Sequence, residues 1–173
     1  MIRIAPTAYV SHLADIEDSK RGSQIVIEAG AFIDAFVKLK AAGGNGHVRI
    51  GRNCSINSGV VMYIGNGITI GDDVAIGANT TLAPTNHEFR SRDLPIREQR
   101  FLASRGGIVI EDDVWIGANC VLLDGTVLRK GCVLGAGSLV RHELPAYSVN
   151  YGQPAKTVGY RGEGRFALPT AAE

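Results

Sequence analysis

Between Ile110 and Val140 an aliphatic residue recurs at every sixth position: Ile110, Ile116, Leu122, Leu128, Leu134 and Val140. Four residues after each of the first five stands a small or β-branched one: Val114, Cys120, Thr126, Cys132 and Ser138. A period of six is neither the roughly 3.6 of an amphipathic helix nor the plain alternation of a half-buried strand. It is a repeat signature, and each unit reads as a short flat strand followed by a tight corner. The aliphatic side chain points into a narrow interior, and the small one fits where the corner crowds it. No unit can bury its apolar residue alone, so the turns must stack on one another.

The same spacing organises the rest of the chain. Ile4, Val10 and Ile16 are six apart, as are Ile27, Ile33 and Leu39, then Ile50, Ile56 and Met62, then Ile70, Ile76 and Leu82. Polar breaks at Asp18–Gly22 and Gly43–His47 separate the first groups and read as loops. Three hexads per coil, one per face of a triangular prism, put coil starts at Ile4, Ile27, Ile50, Ile70, Ile110 and Leu128. Ile25, Val48, Ile68 and Ile108 lie two residues before four of those starts, as β-forming entries to the coil. The expected fold is all-β, a single-stranded parallel β-helix of about six coils, roughly 30 Å long at ordinary strand spacing. Residues 1–145 form the helix domain in this reading. Residues 146–173 form a C-terminal cap, which an open stack of strand edges needs, with an Ala-rich end.

One spacing breaks the rule. From Ile70 to Ile110 the chain advances 40 residues, whereas three hexads take only 18. The surplus is an inserted loop, 88–107, and loops of that length in compact domains are commonly functional. It begins just after His87, where the period places the end of the coil. The loop holds Phe89, Leu94, Ile96, Phe101 and Leu102, enough apolar surface to pack on something. It also holds five arginines, Arg90, Arg92, Arg97, Arg100 and Arg105, interleaved with Glu88, Asp93 and Glu98. Ion pairing within the loop is their expected role, with recognition of a substrate phosphate as the alternative.

Composition narrows the function. Aromatics make up 6% of the residues and glycines number 22, as a thin core with many corners requires. A formal charge of +1 offers no electrostatic footprint for nucleic acid. No apolar run is long enough to span a bilayer and the first residues lack a signal-peptide layout, so a cytoplasmic location without membrane insertion is expected. Cys54, Cys120 and Cys132 all fall on the small position of a hexad, which makes them packing residues. No Cys/His cluster with ligand spacing exists, so no metal is expected.

The hexads, the TNHEF stretch at 85–89, the long loop and the terminal GQPAK segment resemble the hexapeptide-repeat acyltransferases. Within that superfamily the chain is similar to sugar O-acetyltransferases related to the galactoside, maltose and serine acetyltransferases. The resemblance spans about residues 1–160. It implies a left-handed helix, a homotrimer, and acetyl-CoA lying in the groove between neighbouring prisms, with each site shared by two subunits.

Residue by residue, the resemblance makes His87 the catalytic base. That suits a hydroxyl nucleophile, because imidazole titrates near neutral pH. Asn57 matches an acceptor-contacting amide. Where galactoside-type relatives next carry an acidic residue, this chain reads Met62-Tyr63-Ile64-Gly65, which departs from a galactoside acceptor. Trp115 matches a tryptophan beside the cofactor groove, while Ala118, Gly135 and Ala136 match small residues along the pantetheine arm. Lys156 matches a cation near the nucleotide end of CoA. Each match has a plainer counterpart: His87 as a solvent-facing corner, Asn57 as a corner residue in left-handed geometry, Trp115 as an interface side chain. The expected activity is transfer of acetyl from acetyl-CoA to a hydroxyl of a sugar or glycan precursor, without a covalent acyl-enzyme. N-acetylation of an amino sugar is the alternative enzyme. A scaffold, or a metal-dependent helix of carbonic-anhydrase type using His12, His47 and His142, is the alternative class.

Overall fold

The computed structural model describes residues 1–163; the expected Ala-rich end lies outside them. Three parallel sheets form the sides of a prism. The first face stacks Ile2–Ile4, Ile25–Ile27, Val48–Ile50, Ile68–Ile70, Ile108–Ile110, Thr126–Leu128 and Glu143–Leu144. The second stacks Tyr9–Val10, Phe32–Ile33, Ser55–Ile56, Ala75–Ile76, Trp115–Ile116, Val133–Leu134 and Ser148–Gly152. The third stacks Asp15–Ile16, Lys38–Lys40, Val61–Tyr63, Thr81–Ala83, Val121–Leu123 and Leu139–Val140. Six complete coils and two strands of a seventh result, so the expected count is met and slightly exceeded.

The registers match the hexads. Ile4, Ile27, Ile50, Ile70, Ile110 and Leu128 lie in one column of paired residues. Val10, Ile33, Ile56, Ile76, Ile116 and Leu134 form the second column. The third joins Ile16, Leu39, Met62, Leu82, Leu122 and Val140. From Ile25 onward these side chains are fully buried, and so are Cys54, Cys120 and Cys132 at the small positions. Burial pushes the Cys54 thiol up to about 11, and its S–H donates to the Gly71 carbonyl at 3.1 Å. A buried, protonated thiol of this kind is packing material rather than a nucleophile.

The corners obey a further rule that lies three residues after each aliphatic. Asn53, Asp73 and Asp113 at the first corner, and Asn79 and Asn119 at the second, all have φ between 55° and 59°. Asn and Asp tolerate this left-handed geometry better than other side-chain-bearing residues. Phe36 is the exception at the second corner, with φ of 62° and its ring largely exposed. Adjacent corners also approach closely: a Cβ on Gly117 would lie 2.5 Å from the Ala136 nitrogen, so glycine is required there.

The helix continues past residue 145, because Val149 and Asn150 still pair with Val133 and Leu134. Asn150 takes the place of an aliphatic in the second column and is fully buried. Its amide donates to the Val133 carbonyl and the Ser148 hydroxyl, and its oxygen accepts from the Thr157 hydroxyl at 2.7 Å. A satisfied polar network therefore closes the apolar column. Ala155–Tyr160 then folds back antiparallel on Ser148–Gly152 and covers the edge.

Charge is unevenly distributed over the faces. The first face and its corner carry ion pairs such as Arg49–Glu28, Arg52–Asp72 and Arg129 with Glu111 and Glu143. Exposed pairs like these add little stability, but they mark the side turned to water. The parallel strands of the second face contain no charged residue, and Tyr9, Phe32 and Trp115 stand exposed along it. Among the described residues no helix is long and apolar enough to cross a membrane.

Ile76 is fully buried mid-stack, whereas Ile4 in the first coil is 43% exposed. Ile76→Ala should therefore cost about 2–5 kcal/mol and Ile4→Ala under about 1 kcal/mol, by the cavity cost of buried aliphatics. Denaturant unfolding of the two variants measures this, and equal shifts would refute the assigned register.

Candidate active site

The chain leaves the third face after Ala83 and rejoins the first face at Ile108. The excursion thus starts earlier than the period placed it, and His87 stands on its stem rather than at the end of a strand. The stem is a short paired ladder. His87 bridges Phe101, the Glu88 N–H donates to the Arg100 carbonyl at 3.1 Å, and the Leu102 N–H donates to the Asn86 carbonyl at 2.9 Å. The His87 and Phe101 rings lie 4.7 Å apart with a 45° tilt. Backbone pairing on one side and an aromatic ring on the other thus position the imidazole.

Glu88 does not orient it. Its carboxylate accepts from the Arg90 guanidinium and from the N–H groups of Phe89 and Arg90, which hold it at about 2, well below the usual carboxylate range. Among the described residues no hydrogen bond reaches the His87 ring, which leaves both nitrogens available.

The returning stem is fixed by a residue the hexad pattern shows only as a polar corner position. Asp124 is 2% exposed, and its two oxygens accept the Arg105 N–H at 2.8 Å and the Gly107 N–H at 2.9 Å. A buried carboxylate between two backbone donors is a charge-assisted anchor. The expected web of arginine ion pairs is not what holds the loop. Arg90 pairs locally with Glu88, while Arg92, Arg97, Arg100 and Arg105 join no ion pair among the described residues. Nor do the loop's apolar residues find cover in this chain: Phe89, Leu94 and Ile96 are more than half exposed. Only a four-residue helix, Ile96–Gln99, orders its tip.

Two clefts meet at His87 on the third corner, where the third face turns into the next coil. Toward the N-terminal coils lies one of about 290 Å³, lined by Ala42, Gly43, Tyr63, Ala83, Thr85 and Phe101. Toward the C-terminal coils lies one of about 480 Å³, whose lining includes Asn86, Leu123, Asp124, Arg105 and Arg141. The imidazole is the group shared by both. Tyr63, Phe101, Asp124 and Arg141 were not singled out as site residues from sequence. The departure at Met62–Gly65 was the signal for Tyr63.

The other sequence-derived residues lie elsewhere on the prism. Asn57, Ala118, Gly135 and Ala136 occupy the second corner, Trp115 stands 56% exposed on the second face, and Lys156 is exposed on the covering strand. The third face, roughly 15–20 Å of extended backbone, separates that corner from His87. Within one chain the two sets are not brought together. Asn57 has no left-handed backbone; instead its amide donates to the Ile76 carbonyl at 2.7 Å, tying one coil to the next. Its oxygen has no donor among the described residues. Beside Gly135 the space is filled by the Tyr151 ring, so its missing side chain already serves that contact. His47 accepts the Gln24 N–H at 3.0 Å, an internal tie. Among the described residues no three His, Cys, Asp or Glu side chains gather as metal ligands.

Residues 107–142 match the family model described as bacterial transferase hexapeptide (six repeats), and residues 47–84 match the hexapeptide repeat of succinyl-transferase. A hexapeptide-repeat-containing acetyltransferase of Vibrio cholerae, solved with acetyl-CoA, is 31% identical, with a TM-score of 0.61 over 78% of this chain and 72% of that one. A probable acetyltransferase of Mycobacterium tuberculosis is 31% identical over 135 residues, which are 78% of this chain and 44% of the relative. The chain thus spans less than half the length of that curated relative. The N-acyltransferase AntD of Bacillus cereus, solved with dTDP-4-amino-4,6-dideoxyglucose and coenzyme A, has a TM-score of 0.77 at 24% identity. That pair covers 94% of this chain and 84% of AntD, and the likeness is one of fold. The chain belongs to the hexapeptide-repeat acyltransferase superfamily, and its fold is the left-handed parallel β-helix.

The Asp124 anchor is directly testable. Asp124→Ala leaves two stem N–H groups without an acceptor and should release the loop, seen as at least tenfold faster tryptic cleavage at Arg97 or Arg100 with the β-helix intact. Unchanged cleavage would show that the ladder at His87 suffices alone.

Proposed function

We propose that the protein is an acetyl-CoA-dependent acetyltransferase that acetylates a hydroxyl of a sugar or glycan precursor, with His87 as general base. The observation that carries this reading is the placement of His87, held on a paired stem between two clefts of different character. A base between two compartments can take a proton from an acceptor in one while the acyl donor sits in the other. As the acceptor oxygen attacks the thioester carbonyl, its proton passes to a ring nitrogen of His87. Collapse of the tetrahedral intermediate breaks the C–S bond, and the imidazolium returns the proton to the departing thiolate. CoA leaves as the free thiol. The buried state of all three cysteines supports direct transfer over an acyl-enzyme.

The C-terminal cleft suits the acyl donor, because Arg105 and Arg141 can meet phosphate or the polar arm of CoA. Ala118, Ala136, Trp115 and Lys156 would serve the same ligand from the second face and corner. For both sets to act on one molecule, a second copy must bring its second corner to the third corner of the first. We therefore read the active form as a homotrimer. Support comes from the uncharged second face, with Tyr9, Phe32 and Trp115 exposed on it, and from Leu13 and Phe36 exposed at the second corner. The uncovered Phe89, Leu94 and Ile96 of the loop belong to the same argument, since apolar surface in this amount marks an interaction site.

Thiol release from acetyl-CoA in the presence of a panel of sugar hydroxyl and amine acceptors tests the reading. His87→Ala should lower acceptor-dependent turnover by about 10²–10⁴-fold, the usual contribution of a positioned base. Turnover unaffected by the substitution would remove His87 from the chemistry.

A further inference from the structure

The N-terminal cleft is unusual for a site that receives a sugar. Its lining is Ala42, Gly43, Tyr63, Ala83, Thr85, His87 and Phe101, without one charged side chain. Of its polar groups, His87 is committed to the reaction, and the Thr85 hydroxyl points to the Gly43 carbonyl at 3.4 Å. The phenol oxygen of Tyr63 is the remaining side-chain polar atom. Two partly exposed rings, Tyr63 and Phe101, and the methyl of Ala83 supply the walls. Phe101 also stacks on the His87 imidazole, so the apolar wall reaches the reacting group itself.

A fully hydroxylated pyranose carries an oxygen on nearly every ring carbon, and each would need a partner on losing water. The lining offers one or two partners. Aromatic faces and methyls instead match carbon-bound hydrogen. The lack of cations also excludes a phosphoryl group from this end, so any diphosphate of an activated sugar must lie outside the cleft.

We propose that the acceptor presents a deoxygenated carbon, a 6-deoxysugar methyl group, beside the hydroxyl or amine that is acetylated, and that Tyr63 and Phe101 recognise it. This rests on the acetyltransferase reading above and narrows its acceptor. Tyr63 is the specificity-determining residue. It stands on the third face one coil before Ala83, and its ring forms the wall facing Phe101 across the cleft mouth. An acidic residue at this point would accept sugar hydroxyls, and an aromatic ring turns them away.

The test is acetyl-CoA thiol release with matched acceptor pairs that differ only at carbon 6: glucose and 6-deoxyglucose, galactose and 6-deoxygalactose, and their 4-amino counterparts. Each is supplied as a methyl glycoside and as a thymidine diphosphate conjugate. The 6-deoxy member of the accepted pair should show kcat/KM about 10–100-fold higher, the discrimination an apolar pocket gives against an added hydroxyl. Tyr63→Phe should keep that preference, and Tyr63→Asp, folded by thermal melting, should abolish or reverse it. Equal or better use of the 6-hydroxy member, or a preference unchanged by Tyr63→Asp, overturns the inference and leaves the acetyltransferase reading standing. Failure of every sugar acceptor overturns both.

Discussion

The interior of the prism admits one aliphatic side chain per face per turn, and this constraint governs the molecule. Coils pair through parallel backbone hydrogen bonds at strand spacing, so every turn must present its apolar residues in the same three columns. A residue too many on any face would slip the column and expose it. The corners then have to be tight, which demands left-handed backbone at Asn53, Asp73, Asn79, Asp113 and Asn119. It also brings neighbouring backbones so close that Gly117 cannot carry a side chain. Extra chain is therefore admissible only where it leaves and returns at one corner without disturbing the columns. The excursion between Ala83 and Ile108 does this, because Ile70 still pairs with Ile110.

From that rule follows the division of labour in the site. The repeat cannot bend a side chain inward for catalysis, since its interior is full. Chemistry has to be placed outside the prism, by an element the repeat does not dictate. The loop supplies it, with its stem closed by the His87–Phe101 bridge and anchored on Asp124. Regular corners on the other side offer flat, small-residue surface at Ala118 and Ala136, suited to lie along an extended ligand. Split this way, the two parts depend on a second copy of the chain to meet.

Much of this was legible in the sequence because the hexad is a direct imprint of the columns. Every aliphatic from Ile4 to Val140 that the period assigned to a column is found there, and the two polar breaks are loops between coils. The period also exposed the insertion and so pointed to His87. It failed where side chains act against the pattern. Asp124 looks like a turn residue in LLDGTV, and nothing local reveals that its carboxylate reaches back to Arg105 and Gly107. Asn150 interrupts an apolar column, and its partners Ser148 and Thr157 become visible only once the final strand folds back. The loop arginines looked paired because charges alternate along the chain, yet exposed side chains on an irregular backbone gain little from pairing. Asn57 was read as a corner in left-handed geometry, and its amide instead ties two coils together.

The proposal that the site is completed between copies can be tested by complementation. His87→Ala removes the base, and Ala118→Trp blocks the second corner. Each variant alone should be inactive with acetyl-CoA and acceptor. If the two sets of residues meet across an interface, unfolding and refolding an equal mixture should restore about a quarter of wild-type turnover, because random assembly pairs an intact His87 with an intact corner in that fraction of sites. A mixture that stays as inactive as its components, with mixed oligomers confirmed by mass, would place the whole site within one chain and contradict the account.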